Sequence, residues 1–136
     1  RIMAKRILIV DDDPAQRRIL EETVKTFGHV CRSAEDGEQA LALLNDDDAP
    51  NFDLILLDLV MPGLDGMGVL DRLRNDPSAP PVIVQTSSGS MDTAINAMRA
   101  GASDFVVKPV SPERLEVSLK NALRITQLEV EIKRVS

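Results

Sequence analysis

Four short apolar runs in this chain each stop at one polar residue or a small polar cluster. Arg6–Val10 (RILIV) stops at Asp11, Asp12 and Asp13, and Leu54–Leu57 (LILL) stops at Asp58. Val82–Gln85 (VIVQ) stops at Thr86, and Phe105–Val107 (FVV) stops at Lys108. A fifth, weaker run, Val30–Ser33, reads as a strand nearer an edge. Continuous runs of Val, Ile and Leu suit strands buried on both faces, as in a parallel sheet. In an open parallel sheet, ligands bind outside the carboxyl ends of the strands. The stop residues of such strands therefore meet at one rim.

Helical patterns fill the gaps between the runs. Asp13-Pro14 reads as N-cap and first helical residue. Ile19, Leu20, Thr23, Val24 and Phe27 then form a stripe that Gly28 ends. Glu35–Leu44 is helical, with Ala40, Leu41 and Leu44 on one face. Asn45–Asn51 is a solvated acidic loop without the spacing of a calcium-binding loop. Gly66–Asn75 and Met91–Ala100 follow as helices, and Ser111-Pro112-Glu113 starts the last one. Gly63, Gly66 and Gly68 are turn and close-approach glycines, since their spacing is not that of a dinucleotide loop.

Five strand–helix units predict an α/β fold with a doubly wound, five-stranded parallel sheet and five helices, the last extended. The flavodoxin-like order 2-1-3-4-5 fits best, with its switch point between the first and third strands. At 136 residues the chain is one domain by size. Its net charge of -6 argues against direct nucleic-acid binding by this segment. No run of 18 apolar residues or secretory leader is visible, so a cytoplasmic protein without membrane binding is expected. Cys31 reads as a small buried or half-buried thiol in a reducing cytoplasm, and His29, the one histidine, as a solvated residue beside a strand.

At the rim, Asp11, Asp12 and Asp58 would be neighbouring carboxylates whose mutual repulsion a divalent cation relieves. Oxygen ligands with room for water suit Mg2+, with Mn2+ as a substitute, and the lack of histidine and cysteine argues against zinc. Lys108 supplies a point charge and Thr86 a hydroxyl for a phosphoryl group. Phosphoryl transfer needs mostly positioning and charge neutralisation, and a carboxylate can accept phosphate covalently. Asp58, alone at the end of the central strand, is the best acceptor. Asp13 is a helix cap rather than a ligand, and Asp65 a turn residue before a helix.

This set resembles the receiver domain of two-component response regulators. ILIVDDDP, LILLDLVMPGLDG, VIVQTS and AMRAGASDFVVKP carry the resemblance, from Arg6 to about Leu128. It implies that Asp58 is the phosphoacceptor and that Asp11, Asp12, Asp58 and the Val60 main-chain carbonyl hold Mg2+. Lys108 is then the phosphate contact, Thr86 the switch hydroxyl and Phe105 the switch ring, without the hydroxyl a tyrosine would bring there. A cis Lys108–Pro109 bond is implied too. Val60 and Ser88 bear on phosphoryl lifetime. Valine cannot orient an attacking water, so slow self-dephosphorylation is expected.

The resemblance makes the chain a regulatory phosphoacceptor rather than an enzyme. Its expected donor is a sensor histidine kinase or phosphotransfer protein. The output surface falls on the fourth helix, fifth strand and fifth helix, where a homodimer is expected. Residues 1–5 read as a tag remnant or N-terminal lead, residues 6–124 as the receiver, and 125–136 as the start of a helical linker to an output domain. Ile125, Leu128, Ile132 and Val135 continue the last helix at coiled-coil spacing. That helix and the AMRAGASDFVVKP stretch look similar to receivers of sigma-54-dependent transcription activators. Two rivals remain: a haloacid-dehalogenase type of phosphatase, which lacks its second acidic pair here, and an interaction module that is never phosphorylated.

Overall fold

The computed structural model describes residues 4–87 and 91–135, with side chains of the last helix described as far as Arg124. The five strands are β1 (Arg6–Val10), β2 (Val30–Ala34), β3 (Leu54–Asp58), β4 (Val82–Thr86) and β5 (Asp104–Val107). They alternate with helices α1 (Pro14–Thr26), α2 (Gly37–Leu44), α3 (Gly66–Leu73), α4 (Met91–Arg99) and α5 (Pro112–Val135). All four strand pairs are parallel, in the order β2-β1-β3-β4-β5. The expected flavodoxin-like order is therefore the observed one. β2 is an edge strand, exposed along much of its length, whereas β3 and β4 are buried throughout.

Strand alternation splits the interior into two layers. Leu8, Val10, Ile55, Leu57, Val82 and Val84 face α2, α3 and α4, where Ala40, Val69, Leu70 and Ala97 meet them. Ile7, Ile9, Leu54, Leu56, Ile83 and Val106 face α1 and α5, against Leu20, Val24, Leu115, Leu119 and Ala122. Burial of side chains this size, at roughly 1.5–3 kcal/mol each, is the main force holding the layers together. It fixes the register, because a one-residue slip would exchange the two faces of a strand.

Caps set the helix starts. The Asp13 carboxylate accepts from the Ala15 N–H, with Pro14 at the first position. Asp36 accepts from the Gln39 N–H at 2.8 Å, so α2 starts at Gly37 rather than at the expected Glu35. Asp65 accepts from the Gly68 N–H and caps α3, which ends at Leu73, short of the expected Asn75.

Two surface expectations are corrected. Ile19 is 55% exposed. The buried line on α1 is Leu20 and Val24 with Phe27 beside them, because α1 is rotated to aim that line at β1. His29 is buried, and its Nδ1 accepts the Lys5 N–H at 3.0 Å. Burial first, then the Lys5 charge, hold its pKa below the ordinary 6.5. Cys31 is half-buried, as expected, and burial pushes its thiol pKa up. Among the described residues no helix is long and apolar enough to cross a membrane.

Candidate functional site

β1 and β3 are adjacent, and their carboxyl ends bring Asp11 and Asp58 together. Asp11, Asp12 and Asp58 each offer a carboxylate oxygen, and these atoms lie within 4.8 Å of one another. Asp11 and Asp58 are buried and Asp12 is exposed. Lys108, at the end of β5, reaches across the end of β4, with Nζ 3.0 Å from Asp58 Oδ2 and 3.8 Å from Asp11 Oδ2. Its backbone N–H donates to the Thr86 carbonyl at 2.8 Å, which ties the two strand ends together. The Lys108–Pro109 bond is cis, as the resemblance implied.

The remaining hydrogen bonds leave this cluster short of positive charge. Asp11 Oδ1 accepts the Asp13 N–H at 2.9 Å, and Asp58 Oδ1 accepts the Val60 N–H at 3.2 Å. Asp11 Oδ2 is buried without a hydrogen-bond partner among the described residues. Burial, aided by the Asp58 and Asp12 charges, holds the Asp11 pKa above its ordinary 3.8, against the Asp13 N–H and Lys108. Three carboxylates facing one ammonium, with a buried oxygen left over, match the donor set of a hard divalent cation.

The other expected residues lie around this cluster. Thr86 is buried as the last residue of β4. Phe105, partly buried on β5, packs on the α2–α4 layer. Val60 is 75% exposed at the mouth. Ser88 lies outside the described residues, as do the side chains of Ile125, Leu128, Ile132 and Val135. Asp13 is a cap, as read from the sequence, and Asp65, read as a turn residue before the helix, caps α3.

Close backbone packing holds the end of β3 in place. A Cβ on Gly66 would stand 2.4 Å from the Asp58 carbonyl oxygen and 2.6 Å from Leu59 Cα, so the start of α3 rests directly on the end of β3. Two contributors escaped the sequence reading. Arg17 donates from Nη1 to the Asp11 carbonyl at 2.8 Å and pairs with Glu35 at 3.7 Å. Gln85 is buried with its carboxamide unpaired among the described residues. A lone polar residue inside VIVQT was the available signal for Gln85; Arg17 carried none, since a helix arginine is usually solvated.

Residues 7–120 match the family model of the response regulator receiver domain. The chain belongs to that family. It is 42% identical over 126 residues to the "Probable transcriptional regulator ycf27" of Cyanophora paradoxa, covering 93% of this chain and 51% of that protein. To the "Regulatory protein AtoC" of Escherichia coli it is 35% identical over 128 residues, covering 94% of this chain and 27% of that protein. The crystal structure of NtrX from Brucella abortus superposes with a TM-score of 0.90 at 34% identity, covering 98% of this chain and 30% of that one. The receiver thus spans about half the length, or less, of these relatives. It is the receiver domain of a two-component response regulator.

Proposed function

We propose that this receiver is a phosphorylation-controlled switch in which Asp58 accepts a phosphoryl group from the phosphohistidine of a sensor histidine kinase or phosphotransfer protein. A carboxylate oxygen attacks phosphorus, the new O–P bond forms as the N–P bond breaks, and the imidazole leaves with the electron pair. The observation that carries this reading is the Asp58 carboxylate, buried at a strand end, 3.0 Å from Lys108 Nζ and within 4.8 Å of the Asp11 and Asp12 oxygens. Asp11, Asp12, Asp58 and the Val60 carbonyl would hold Mg2+, or Mn2+ in its place. The cation supplies charge neutralisation for the phosphoryl oxygens. Lys108 contacts the phosphoryl group, Thr86 turns its hydroxyl toward it, and the Phe105 ring moves with Thr86.

The acyl phosphate carries about two negative charges where the carboxylate carried one, and this change of charge and size biases a two-state equilibrium of the α4–β5–α5 surface. Exposed Met91, Ile95 and Met98 on α4, Val107 on β5 and Val117 on α5 favour an apolar contact there, as a homodimer needs. The regulator is cytoplasmic and catalyses nothing beyond its own phosphorylation and dephosphorylation. Residues 6–124 form the receiver. The helix from 125 onward leads to an output domain, transcriptional as in the ycf27 relatives and of the sigma-54-dependent activator class.

Treatment with Mg2+ and acetyl phosphate, read by intact mass, tests the assignment. One stoichiometric phosphoryl group is expected on the wild type and none on Asp58→Asn. A persistent phosphoryl group on that variant refutes Asp58 as acceptor, and many turnovers of a small phosphomonoester favour a phosphatase.

A further inference from the structure

Gln85 is 1% exposed, yet neither Oε1 nor Nε2 has a hydrogen-bond partner among the described residues. Buried carboxamides are nearly always paired, because an unmade hydrogen bond costs more than a made one contributes. An apolar side chain of the same length would fill the space at lower cost, so the polar group calls for a reason. Its position supplies one. Gln85 is in register with Asp58 on one side and Val106 on the other. Ile83, two residues earlier, lies in the α1/α5 layer with Leu56 and Val106, so alternation puts Gln85 on that face beside Asp58. Neighbouring strands are about 4.8 Å apart, a gap that a glutamine side chain can span. Lys108, whose N–H donates to the carbonyl of Thr86, next in the chain to Gln85, reaches Asp58 Oδ2 with its Nζ at 3.0 Å.

We propose that Gln85 is a positioning residue of the phosphoryl site. While Lys108 Nζ is held by Asp58 Oδ2, the carboxamide has no partner. When the phosphoryl group draws the ammonium to its own oxygens, the Gln85 Nε2–H donates to the Asp58 carboxyl oxygen that the lysine gives up. The unpaired amide thus weighs against the unphosphorylated state and favours the phosphorylated one. The proposal rests on Asp58 as phosphoacceptor.

The test compares the wild type with Gln85→Met, which keeps length and removes polarity. Each is melted with Mg2+ alone and with Mg2+ plus beryllofluoride, a phosphoryl mimic. Without the mimic the variant should melt at or above the wild type. With it, the variant should gain less, and its apparent affinity for the mimic should be about tenfold weaker, the worth of one hydrogen bond. A merely structural glutamine would shift both states alike, and equal gains overturn the proposal. If Gln85→Met does not fold, the wild type still decides. The side-chain amide resonances of Gln85 should move and gain exchange protection when beryllofluoride is added, and unmoved resonances overturn the proposal. A wild type that takes up no beryllofluoride removes the reading of Asp58 and this proposal with it; uptake with equal gains removes this proposal alone.

Discussion

Asp11→Asn should make the metal-free protein more stable. At an effective dielectric of about 20, the Lys108 ammonium at 3.8 Å from Asp11 Oδ2 attracts it by about 4 kcal/mol. The Asp58 carboxylate, within 4.8 Å, repels it by at least about 3.5 kcal/mol. These two nearly offset, and Asp12, being exposed, adds only a screened repulsion. Burial of the Asp11 charge then decides the sign. Asparagine keeps Oδ1 for the Asp13 N–H, removes the buried charge and puts an amide where Oδ2 has no hydrogen-bond partner among the described residues. A gain of about 1–3 kcal/mol is expected in urea unfolding with EDTA present. In millimolar Mg2+ the wild type should gain by mass action and the variant little, so the gap narrows or reverses. The pH dependence carries the same signature. The folded protein holds the Asp11 proton more tightly than the unfolded chain, so wild-type stability falls as pH rises from the ordinary 3.8 through the raised folded value. The variant should lack that component. A metal-free variant less stable than the wild type by more than about 1 kcal/mol would mean that the lysine attraction wins, and would refute this reasoning.

Gly66→Ala should destabilise the fold by about 3 kcal/mol and weaken Mg2+ binding, because its Cβ would meet two backbone atoms of β3 at 2.4 and 2.6 Å; a change under about 0.5 kcal/mol with unaltered Mg2+ affinity would show that the contact relaxes freely. His29 binds its proton less readily in the folded state, so stability should rise with pH across a window that closes near 6.5. His29→Gln should flatten that slope in urea midpoints, and an unchanged slope assigns it to other groups. With Val60 at the mouth instead of a polar side chain, the phosphorylated protein alone should lose its phosphoryl group over minutes to hours, and decay within seconds by intact mass would contradict this.

How much could be read from the chain depended on whether a feature was local. The strands were legible because an apolar run cut short by one polar residue leaves little choice of register, and Asp58 stood out for the same reason. The caps Asp13, Asp36 and Asp65 act on N–H groups two or three residues away, so the helix starts were nearly right. The sides of helices were harder. The pairs Ile19/Thr23 and Leu20/Val24 share one spacing, and only the packing of α1 on β1 selects the second. His29 is buried and its Nδ1 accepts the Lys5 N–H, 24 residues away in sequence, a pairing that no local pattern encodes. Arg17 acts through the Asp11 carbonyl and Glu35 on other elements, and nothing in its own window distinguishes it from an ordinary helix arginine, whereas Gln85 stands out in VIVQT only as a polar residue inside an apolar run.

The sheet itself separates the parts of the proposed switch. Asp58 follows Leu54 and Leu56 in alternation, so it belongs to the α1/α5 face, and Lys108 follows Val106 there. Gln85 shares that face. Thr86 follows Val82 and Val84 onto the other face, where Phe105 packs against the cluster that includes Ala97 and Ala100. The charged pair and the hydroxyl–ring pair thus occupy opposite faces of the same strand ends, joined by backbone: Lys108 N–H to the Thr86 carbonyl, and Leu59 N–H to the Gln85 carbonyl. A phosphoryl group on Asp58 can pull Lys108, Gln85 and the Thr86 hydroxyl, and its effect reaches α4 through the end of β4, which carries both Gln85 and Thr86. The two residues are adjacent and point oppositely, so one displacement of that strand end alters both layers at once. That is the physical reason to expect charge on Asp58 to alter the exposed Ile95 and Met98 surface without touching it.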